Sequence, residues 1–313
     1  MDSQQVMSEE LFVSPQVVDD LTEIHGFNKT VKDVFSGTVG GVAQVLVGQP
    51  FDIIKVRLQT MPGNTTAWEA IADLVRYEGL RGFYKGTMAP LVGVGACVSC
   101  QFGVNEAMKR MFKDINRSRG RFENSLSLGQ YYTCGFVSGS ANAVLATPIE
   151  HVRIRMQLQK EALANAQYKS TLDCTGKLLK EGALMRGFSA TLMRTSHGFG
   201  VYFLTYETLI GWQLSLGLRR DQISAWKACL FGAVSGACFW AMTYPFDVVK
   251  SVMQADKLKN PAYGTNVVQV ARNIYKERGL RAFTKGFTPT MLRSLPVNGA
   301  TFAAFEVTMR LLN

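Results

Sequence analysis

The chain has 313 residues, a formal net charge of +10 and a hydrophobic fraction of 47%. The hydrophobic fraction alone does not separate a soluble enzyme from a membrane protein, and the positive charge leaves an anionic surface, nucleic acid or an anionic substrate open as partners. The sequence contains no low-complexity tract and no long run of like charge, so segments of these two kinds are excluded.

The first segment, residues 1–29, is predicted to be a polar extension. The first 30 residues contain six acidic side chains and a single lysine, Lys29, and they have no apolar core. Such a start resembles neither a secretory signal, which needs an apolar stretch, nor a transit peptide, which is rich in arginine. Any targeting to an organelle is therefore expected to depend on internal signals.

From residue 30 onward one pattern occurs three times, and it centres on a proline. Pro50, Pro148 and Pro245 stand 98 and 97 residues apart. Each is followed by an acid two residues on, a base five residues on and a glutamine nine residues on. In chain order these are Asp52, Lys55 and Gln59; Glu150, Arg153 and Gln157; and Asp247, Lys250 and Gln254. Agreement over so many offsets indicates an internal repeat.

Glycines mark the same three repeats. A Gly-x-x-x-Gly pair begins 13 residues before each proline, and a later landmark glycine precedes a glutamate by 20 residues in each copy. The landmark pairs are Gly86 and Glu106, Gly187 and Glu207, and Gly286 and Glu306. The repeats are therefore placed at residues 30–115, 126–215 and 224–313.

Each repeat contains two apolar segments of about 20 residues, the length needed to cross a bilayer as a helix. The six segments are 31–50, 87–108, 127–148, 190–211, 226–245 and 287–308. Gly, Ser, Thr and Asn are interspersed in them, as expected where one face of a helix lines a polar cavity. The predicted fold is an all-α membrane protein with six transmembrane helices, in three tandem two-helix repeats related by pseudo-threefold symmetry.

The stretches between the two segments of each repeat are basic. Stretches 55–86, 153–187 and 250–286 carry 5, 7 and 8 of the 34 Lys and Arg residues. By the positive-inside rule these loops share one side of the membrane, and an even number of spans puts both termini on the other side. Apolar residues at helical spacing within the loops predict short helices along the membrane surface. They are Trp68, Ile71, Ala72 and Val75 in the first loop, and Leu172, Thr175, Leu178 and Leu179 in the second.

The charges after each proline predict a gate. Proline kinks a helix because it removes one backbone hydrogen bond, so three kinked helices around a threefold axis can converge their ends. Acids and bases of neighbouring helices then pair and close one end of a cavity, and the three repeated glutamines can bridge the pairs because an amide both donates and accepts. The expected pairs are Asp52–Arg153, Glu150–Lys250 and Asp247–Lys55. Water-filled pairs contribute up to about 1 kcal/mol each, which suits a gate that must reopen.

These motifs resemble the signature of the mitochondrial carrier family, Pro-x-[Asp/Glu]-x-x-[Lys/Arg]-x-[Lys/Arg], followed by [Asp/Glu]-Gly-x4-[aromatic]-[Lys/Arg]-Gly. Residues 50–57 and 148–155 match the first part fully, and residues 78–86 match the second. The resemblance covers residues 30–313. It implies a monomeric six-helix carrier of the mitochondrial inner membrane, with the gate and the short surface helices on the matrix side and with bound membrane lipid, cardiolipin in particular.

The second and third repeats depart from the signature. Val252 stands where the third repeat should have its second base, and residues 277–279 read Glu-Arg-Gly, with Thr284 at the aromatic position. The second repeat is two residues short between Glu181 and Gly187. These departures weaken the matrix loops of both repeats as lipid-binding sites and leave the fold assignment intact.

The family also has an outer, cytoplasmic gate, [Phe/Tyr]-[Asp/Glu]-x-x-[Lys/Arg], on the even-numbered helices. The acids Glu106, Glu207 and Glu306 are present, but only Lys109 supplies a base three residues on. The cytoplasmic gate is therefore expected to be weak, and the protein is expected to rest open towards the side of its termini.

Seven residues after the landmark glycines come Gly93, Arg194 and Arg293, which the resemblance places at the substrate contact level. Arginines near the middle of a membrane are costly without a role, and arginine binds a carboxylate through two hydrogen bonds. The two arginines therefore predict a carboxylate-bearing ligand, and Gly93 predicts room beside the charged walls. A structural or snorkelling pair of arginines is the alternative.

Local sequence narrows the ligand. Residues 235–240 and 292–298 look like the branch of the family that carries carnitine, acylcarnitine and amino acids, and the region before residue 50 looks like fungal organic-acid and amino-acid carriers. Thr195 follows Arg194 where amino-acid carriers usually have an acid, which disfavours a strongly cationic ligand. An amino acid such as glutamate, or a carnitine-like compound, is predicted. Trp240 and His197 either line the cavity or pack.

Other functions fit less well. Cys97 and Cys100 read as C-x-x-C, but they lie in a run of small residues without a second Cys or His pair, so packing is favoured over a metal or redox site, and no cofactor is expected. No phosphate-binding loop or catalytic triad supports an enzyme, and basic residues in loops between apolar spans do not form the continuous face that nucleic acid needs. The main alternative is a carrier-like membrane adaptor without transport, disfavoured because all six inner-gate charges are present.

Overall fold

The computed structural model describes residues 27–60, 66–119, 126–159 and 166–312, and within these ranges every regular element is a helix. The predicted polar extension, residues 1–29, therefore lies almost wholly outside the described residues. Six helices are long: α1 Phe27–Thr60, α3 Met88–Ser118, α4 Leu128–Leu158, α6 Phe188–Ser215, α7 Ala225–Ala255 and α9 Phe287–Leu312. Three are short: α2 Ala67–Glu78, α5 Thr171–Lys180 and α8 Val267–Arg278. The all-helical, three-repeat architecture predicted from the sequence is confirmed.

Each long helix with a repeat proline continues past it. Pro50, Pro148 and Pro245 lie inside α1, α4 and α7, so the acids, bases and glutamines that follow them are helical rather than part of a loop. The apolar segments predicted to end at the prolines are therefore shorter than the helices. A proline removes only one backbone hydrogen bond, so the helix can resume beyond the kink.

The short helices are set by local capping. Thr66 begins α2 with a reciprocal capping box to Glu69, and Gly79 ends the helix in a positive-φ conformation of 66°, which glycine adopts without strain. Each short helix buries one pair of residues four apart: Ala70 and Leu74, Cys174 and Leu178, and Val270 and Ile274. Trp68 and Leu172 face outward, 79% and 84% exposed, as expected for helices lying against a membrane surface.

Burial shapes the chemistry of one of these packed residues. Cys174 is 0% exposed and packs against Val152, Tyr168 and Leu178. Burial raises the pKa of its thiol to about 12, because the charged thiolate loses its hydration there. Cys174 therefore stays uncharged and packs α5 against α4.

The Gly-x-x-x-Gly pairs behave differently in the three repeats. In α4, a Cβ atom added at Gly135 or Gly139 would lie 2.3 Å from a backbone oxygen of α6, so only glycine allows this approach. The equivalent glycines Gly41 in α1 and Gly236 in α7 would meet nothing within 4 Å. Of these four glycines, only the two in α4 thus lie against the backbone of a neighbouring helix.

Two described segments are long and apolar enough to cross a membrane by length and composition alone, Leu80–Ser118 and Trp226–Ala255. The remaining long helices contain 26–34 residues, which exceeds the length needed to span a bilayer.

Candidate functional site

The parts of α1, α4 and α7 that follow their prolines line one cavity of about 190 Å³. We call this end of the molecule the proline end. Eight charged residues line the cavity: Asp52, Lys55, Glu150, Arg153, Arg194, Asp247, Lys250 and Arg293. Five of them are bases and three are acids, so the wall carries a surplus of two positive charges.

Three ion pairs close the proline end, one between each two of the three helices. Arg153 of α4 lies 2.6 Å from Asp52 of α1, and Lys250 of α7 lies 3.0 Å from Glu150 of α4. Lys55 of α1 lies 2.8 Å from Asp247 of α7. These are the partners expected from the register of the repeats.

Burial differs among the three pairs. The Asp247 side chain is 1% exposed and its partner Lys55 is 11% exposed, whereas Asp52 and Arg153 are 14% and 21% exposed. The expectation of three weak, water-filled pairs therefore does not describe the α1–α7 pair. A buried pair gives little net stabilisation as a whole, but leaving one member unpaired is strongly destabilising.

The glutamines do not bridge the pairs uniformly. Gln59 Nε2 donates to Asp247 Oδ2 at 2.9 Å and to the Tyr244 hydroxyl at 3.2 Å, as expected of a bridge. Gln254 Nε2 donates instead to the backbone carbonyl of Arg186 at 3.2 Å, and both amide atoms of the buried Gln157 lack a hydrogen-bond partner. The expected bridging is thus observed at Gln59 alone among the three.

Two residues next to the prolines were missed by sequence reasoning. Gln49, before Pro50, accepts a hydrogen bond from Arg153 and donates to the carbonyl of Lys85 at 2.8 Å. Tyr244, before Pro245, donates to the carbonyl of Lys285 at 2.9 Å. The available signal was their shared position directly before a proline, but the residue type differs between the copies, so no repeated motif revealed it.

The two predicted substrate arginines reach into the same network. Arg194 Nη2 lies 2.6 Å from Glu150 Oε1, and its Nη1 lies 3.6 Å from Asp247. Arg293 Nε lies 3.3 Å from Asp52 Oδ1. The surplus positive charge of the cavity is therefore shared with the acids of the ion-pair ring.

Of the remaining predicted contact residues, Trp240 lies on the cavity wall, whereas Gly93 and Thr195 do not. Trp240 lines the cavity, and Lys55 Nζ lies 4.4 Å from its ring centroid, a cation–π arrangement. Gly93 does not provide room in the cavity, because Ile149 of α4 packs against it so closely that an added Cβ would lie 2.3 Å from the Ile149 side chain. Thr195 is also not on the cavity wall, since its hydroxyl donates to the carbonyls of Gly139 and Thr191 at 2.9 Å each.

His197 is likewise outside the set of cavity-lining residues. Its ring nitrogen lies 2.7 Å from the hydroxyl of Tyr132, and its ring packs edge-on against Phe136. This contact joins α6 to α4.

At the opposite end of the bundle the acids pair locally. Lys109 lies 2.8 Å from Glu106 one turn earlier on α3, and Arg220, in the turn between α6 and α7, binds both carboxylate oxygens of Glu207 at 3.1 and 3.2 Å. Sequence reasoning missed Arg220 because it follows Glu207 by 13 residues rather than by three. The side chain of Glu306 lies outside the described part of the chain. The described residues thus show cross-helix ion pairs at the proline end and local ones at the other.

The cysteines and acids suggest no metal centre. Among the described residues, no three His, Cys, Asp or Glu side chains are grouped so as to hold a metal ion. Cys97 and Cys100 are free, partly exposed thiols on α3.

A central charged cavity, closed at one end by ion pairs between three proline-containing helices and bounded by a threefold repeat, defines a solute carrier. The sequence profile described as "Mitochondrial carrier protein" matches residues 27–116, 124–215 and 221–313. The chain therefore belongs to the mitochondrial carrier family. It is a multi-pass protein of the mitochondrial inner membrane, and the members of its family are transporters of small metabolites.

Relatives cover nearly the whole chain. The "Mitochondrial glycine transporter YMC1" of Saccharomyces cerevisiae is 56% identical over 310 residues, which are 98% of this chain and all of the relative. The "Carrier protein YMC2, mitochondrial" of the same organism is 49% identical, covering 98% of this chain and 99% of the relative. The "Glutamate/glycine mitochondrial carrier ymc1" of Schizosaccharomyces pombe is 41% identical, covering 89% of this chain and 94% of the relative.

Proposed function

We propose that this carrier exchanges a small amino acid, glutamate or glycine, across the inner membrane, with Arg194 and Arg293 binding the carboxylate groups of the solute. The observation that carries the proposal is the charge of the cavity wall. Five bases share three acids there, so the wall has two more cations than anions even though Arg194 and Arg293 also contact acids of the ring. A carboxylate ligand supplies the missing negative charge, and guanidinium groups bind it through two parallel hydrogen bonds.

Binding and gate opening are coupled in this arrangement. Arg194 holds Glu150, and Arg293 holds Asp52, so a ligand carboxylate must compete with gate acids for the guanidinium groups. Glu150 and Asp52 then lose one of their partners, and the matrix gate loosens when the solute is in place. A ligand can shift a conformational equilibrium only through such differential contacts.

The amino group of the solute has acceptors in the same place. Glu150 is 24% exposed and Asp52 is 14% exposed, so both can accept hydrogen bonds from an ammonium group once the arginines release them. A quaternary ammonium, as in carnitine, is best bound by an aromatic face, and the face of Trp240 is already covered by Lys55 at 4.4 Å. This arrangement favours an amino acid over a carnitine-like compound.

The names of the relatives agree with this assignment. Glycine is named for the Saccharomyces cerevisiae relative, and glutamate and glycine for the one from Schizosaccharomyces pombe. A carnitine/acylcarnitine carrier-like protein of Arabidopsis thaliana is 36% identical to this chain, and it is less similar than either yeast protein.

The proposal includes a monomeric carrier with cardiolipin bound on the matrix side. Each short surface helix begins at a residue whose side chain caps the first turn, namely Thr66, Ser170 and Asn266. Phosphate groups are favoured at helix N-termini, and the outward-facing residues near these ends are apolar. The alternative function is a membrane adaptor that uses the carrier fold without moving a solute.

Exchange in liposomes tests the proposal. The purified protein is reconstituted, the vesicles are loaded with glutamate or glycine, and uptake of labelled glutamate, glycine, carnitine and oxo-acids is measured. We expect saturable uptake of glutamate or glycine that the unlabelled amino acids inhibit and their amides do not. Uptake of carnitine alone would refute the amino-acid assignment, and folded protein that moves none of these solutes would favour the adaptor.

A further inference from the structure

The C-terminal ends of α1, α4 and α7 each receive a cation from a neighbouring repeat. The last carbonyl groups of a helix have no partner within it, and the helix dipole makes this end partly negative. Lys85 donates to the carbonyl of Gln159, the residue directly after α4 (2.8 Å), and Arg186 to that of Lys257, two residues after α7 (2.7 Å). Arg278 donates to the carbonyl of Gln59 in the last turn of α1 (3.1 Å). In cyclic order, repeats 1, 2 and 3 thereby hold the helix ends of repeats 2, 3 and 1.

In the third repeat a residue at another position makes such a contact. Lys85 and Arg186 each stand directly before a landmark glycine, and the corresponding residue of the third repeat is Lys285. The end of α1 accepts a hydrogen bond from Arg278, which lies seven residues before Lys285. Arg278 occupies the position of an acid in the first repeat, because Glu78 and Arg278 each precede a glycine with positive φ, of 66° and 69°, at the end of a short helix.

In the first repeat this acid has a partner inside the repeat. Glu78 forms an ion pair with Arg57, which follows Pro50 by seven residues, and the two side chains are 2% and 1% exposed. In the third repeat the residue seven positions after Pro245 is Val252, which is 3% exposed and packs in an apolar cluster with Val270. Both members of the pair have therefore been exchanged, the base for valine and the acid for arginine.

The two exchanges fit each other physically. Glu78 is paired with two bases, Arg57 and Lys85. An acid at position 278 would lack the counterpart of Arg57, because Val252 stands there, and removing one partner of a buried ion pair is destabilising. Arg278 instead turns away from its own repeat. Its Nη2 donates to the hydroxyl of Tyr263 at 2.5 Å and its guanidinium lies 5.2 Å from the Tyr263 ring centroid, which holds the side chain in the direction of α1.

We infer that Arg278 is a positioning residue of the matrix gate, which holds the last turn of α1 in the closed state. Gln59 is the point of contact, since its carbonyl accepts from Arg278 while its side chain donates to Asp247. Lys55 lies one turn earlier on the same helix and pairs with Asp247. The within-repeat ion pair of the first repeat has thus been replaced, in the third, by a clamp between repeats 3 and 1.

The inference rests on the proposed role of the ion-pair ring as a gate, and its test measures gate closure without any solute. Ser251 lines the cavity and is 1% exposed, so a Ser251→Cys change reports access from the matrix side. An impermeant maleimide is added to inside-out inner-membrane vesicles, whose matrix face is outward. The labelling rate is corrected by the same variant with Ser251 intact, which removes the contribution of the native cysteines.

Arg278→Gln is expected to raise the labelling rate about tenfold, because hydrogen bonds from a charged donor to the end of α1 are lost. The matched control is Arg281→Gln, which removes an exposed positive charge from the same loop and is expected to leave the rate unchanged. Equal labelling of folded Arg278→Gln and wild-type protein would overturn the inference. Because no solute is needed, failure of the amino-acid assignment does not affect this outcome.

A double variant separates positioning from simple stability. Val252→Arg combined with Arg278→Glu rebuilds the ion pair of the first repeat, so the thermal stability is expected to return close to that of the wild type. The clamp onto α1 is still missing, so labelling is expected to stay fast. A stable double variant with wild-type labelling would show that Arg278 serves only the packing of its own repeat, and this variant keeps the test available if Arg278→Gln alone does not fold.

Discussion

Arg194 shares its guanidinium between two acids of the ion-pair ring, Glu150 at 2.6 Å and Asp247 at 3.6 Å. Its side chain is 9% exposed, so an incoming carboxylate must displace an acid as well as water. Arg293 has a single acid partner, Asp52 at 3.3 Å, and a side chain that is 26% exposed. The two arginines therefore differ in how strongly they are held, and Arg293 is the easier of the two for a solute to reach.

Truncating either arginine should weaken solute binding. Arg194→Ala and Arg293→Ala are each expected to lower affinity by well over tenfold, because losing one partner of a desolvated charge pair costs about 2–5 kcal/mol. Lysine at either position should rescue poorly, since it keeps the charge and loses the two-pronged geometry. The measurement is the concentration dependence of exchange in liposomes.

The control for this prediction is Arg272→Ala, which removes an exposed charge of α8 outside the cavity. It should leave the affinity unchanged. Normal exchange by both alanine variants, together with competition by analogues that lack a carboxylate, would show that the arginines are structural and would leave the carrier fold unaffected.

Sequence reasoning at this scale succeeded where a residue type repeats in register. The acids and bases of the ring could be paired in advance because each copy places them at the same offset from its proline. Gly93 was misjudged because the absence of a side chain says nothing about what fills the space, and Ile149 fills it. Gln49, Tyr244, Arg220 and Arg278 could not be found from repetition, since each has a different residue at the equivalent positions and acquires its partner only when the helices pack.

At the scale of elements, the contact between α4 and α6 is the one that glycine makes possible. The Gly135 and Gly139 positions face backbone atoms of α6, and a backbone cannot rotate away as a side chain can. Additional bonds join the same two helices, among them Ser140 to Ser196 at 2.8 Å. The two long helices of the second repeat are thus held together by close backbone packing and by side-chain hydrogen bonds.

Alanine substitutions at equivalent glycines of α4 and α7 are expected to change the stability of the protein differently. Gly139→Ala is expected to destabilise the protein by about 1–3 kcal/mol, because the added methyl group forces α4 and α6 apart. Gly236→Ala, at the same repeat position in α7, meets nothing within 4 Å and is expected to be neutral or stabilising, since alanine is the better helix former.

Thermal unfolding of the purified protein in detergent measures both effects, with wild type and both variants compared at one lipid content. A lower melting temperature for Gly236→Ala than for Gly139→Ala would contradict the described packing. The Gly-x-x-x-Gly pattern itself was visible in all three copies, but which copy makes a tight contact depends on the separation of the helices, which the sequence does not encode locally.

For the whole molecule, the three ion pairs at the proline end are not equivalent. Between α1 and α7 lies the most buried ion pair, Lys55 with Asp247, and Gln59, Tyr244 and Trp240 surround it. Arg278 also binds the end of α1 there. Between α1 and α4 lies a more exposed ion pair, Asp52 with Arg153, and Gln49 accepts a hydrogen bond from Arg153. A pseudo-threefold sequence has therefore produced an ion-pair ring that is more exposed on the side of α4.

A charge swap tests the more exposed ion pair of the ring, Asp52 with Arg153. Asp52→Lys should sharply reduce exchange, because it places three cations together, the new lysine beside Arg153 and Arg293. Adding Arg153→Asp should recover part of the activity by restoring an ion pair with reversed polarity. The recovery should be partial, since the lysine still lies beside Arg293.

The exchange rate of the single and double variants in liposomes decides between the outcomes. A double variant no better than either single variant would mean that Asp52 and Arg153 do not act as a pair during transport. Reciprocal charge swaps at the other two ion pairs extend the test. The buried Asp247–Lys55 pair is expected to tolerate reversal least.

Because α1, α4 and α7 continue as helices beyond their prolines, a small change of angle at the proline displaces the end of the helix by a larger distance. From Pro50 to Thr60 the helix runs for ten residues, a length of about 15 Å at the rise of an α-helix. A swing of about 20° at the kink would carry the tip through about 5 Å, well beyond the reach of an ion pair. In the gate proposed above, small angular changes at the three prolines are therefore sufficient to separate the ion-pair partners.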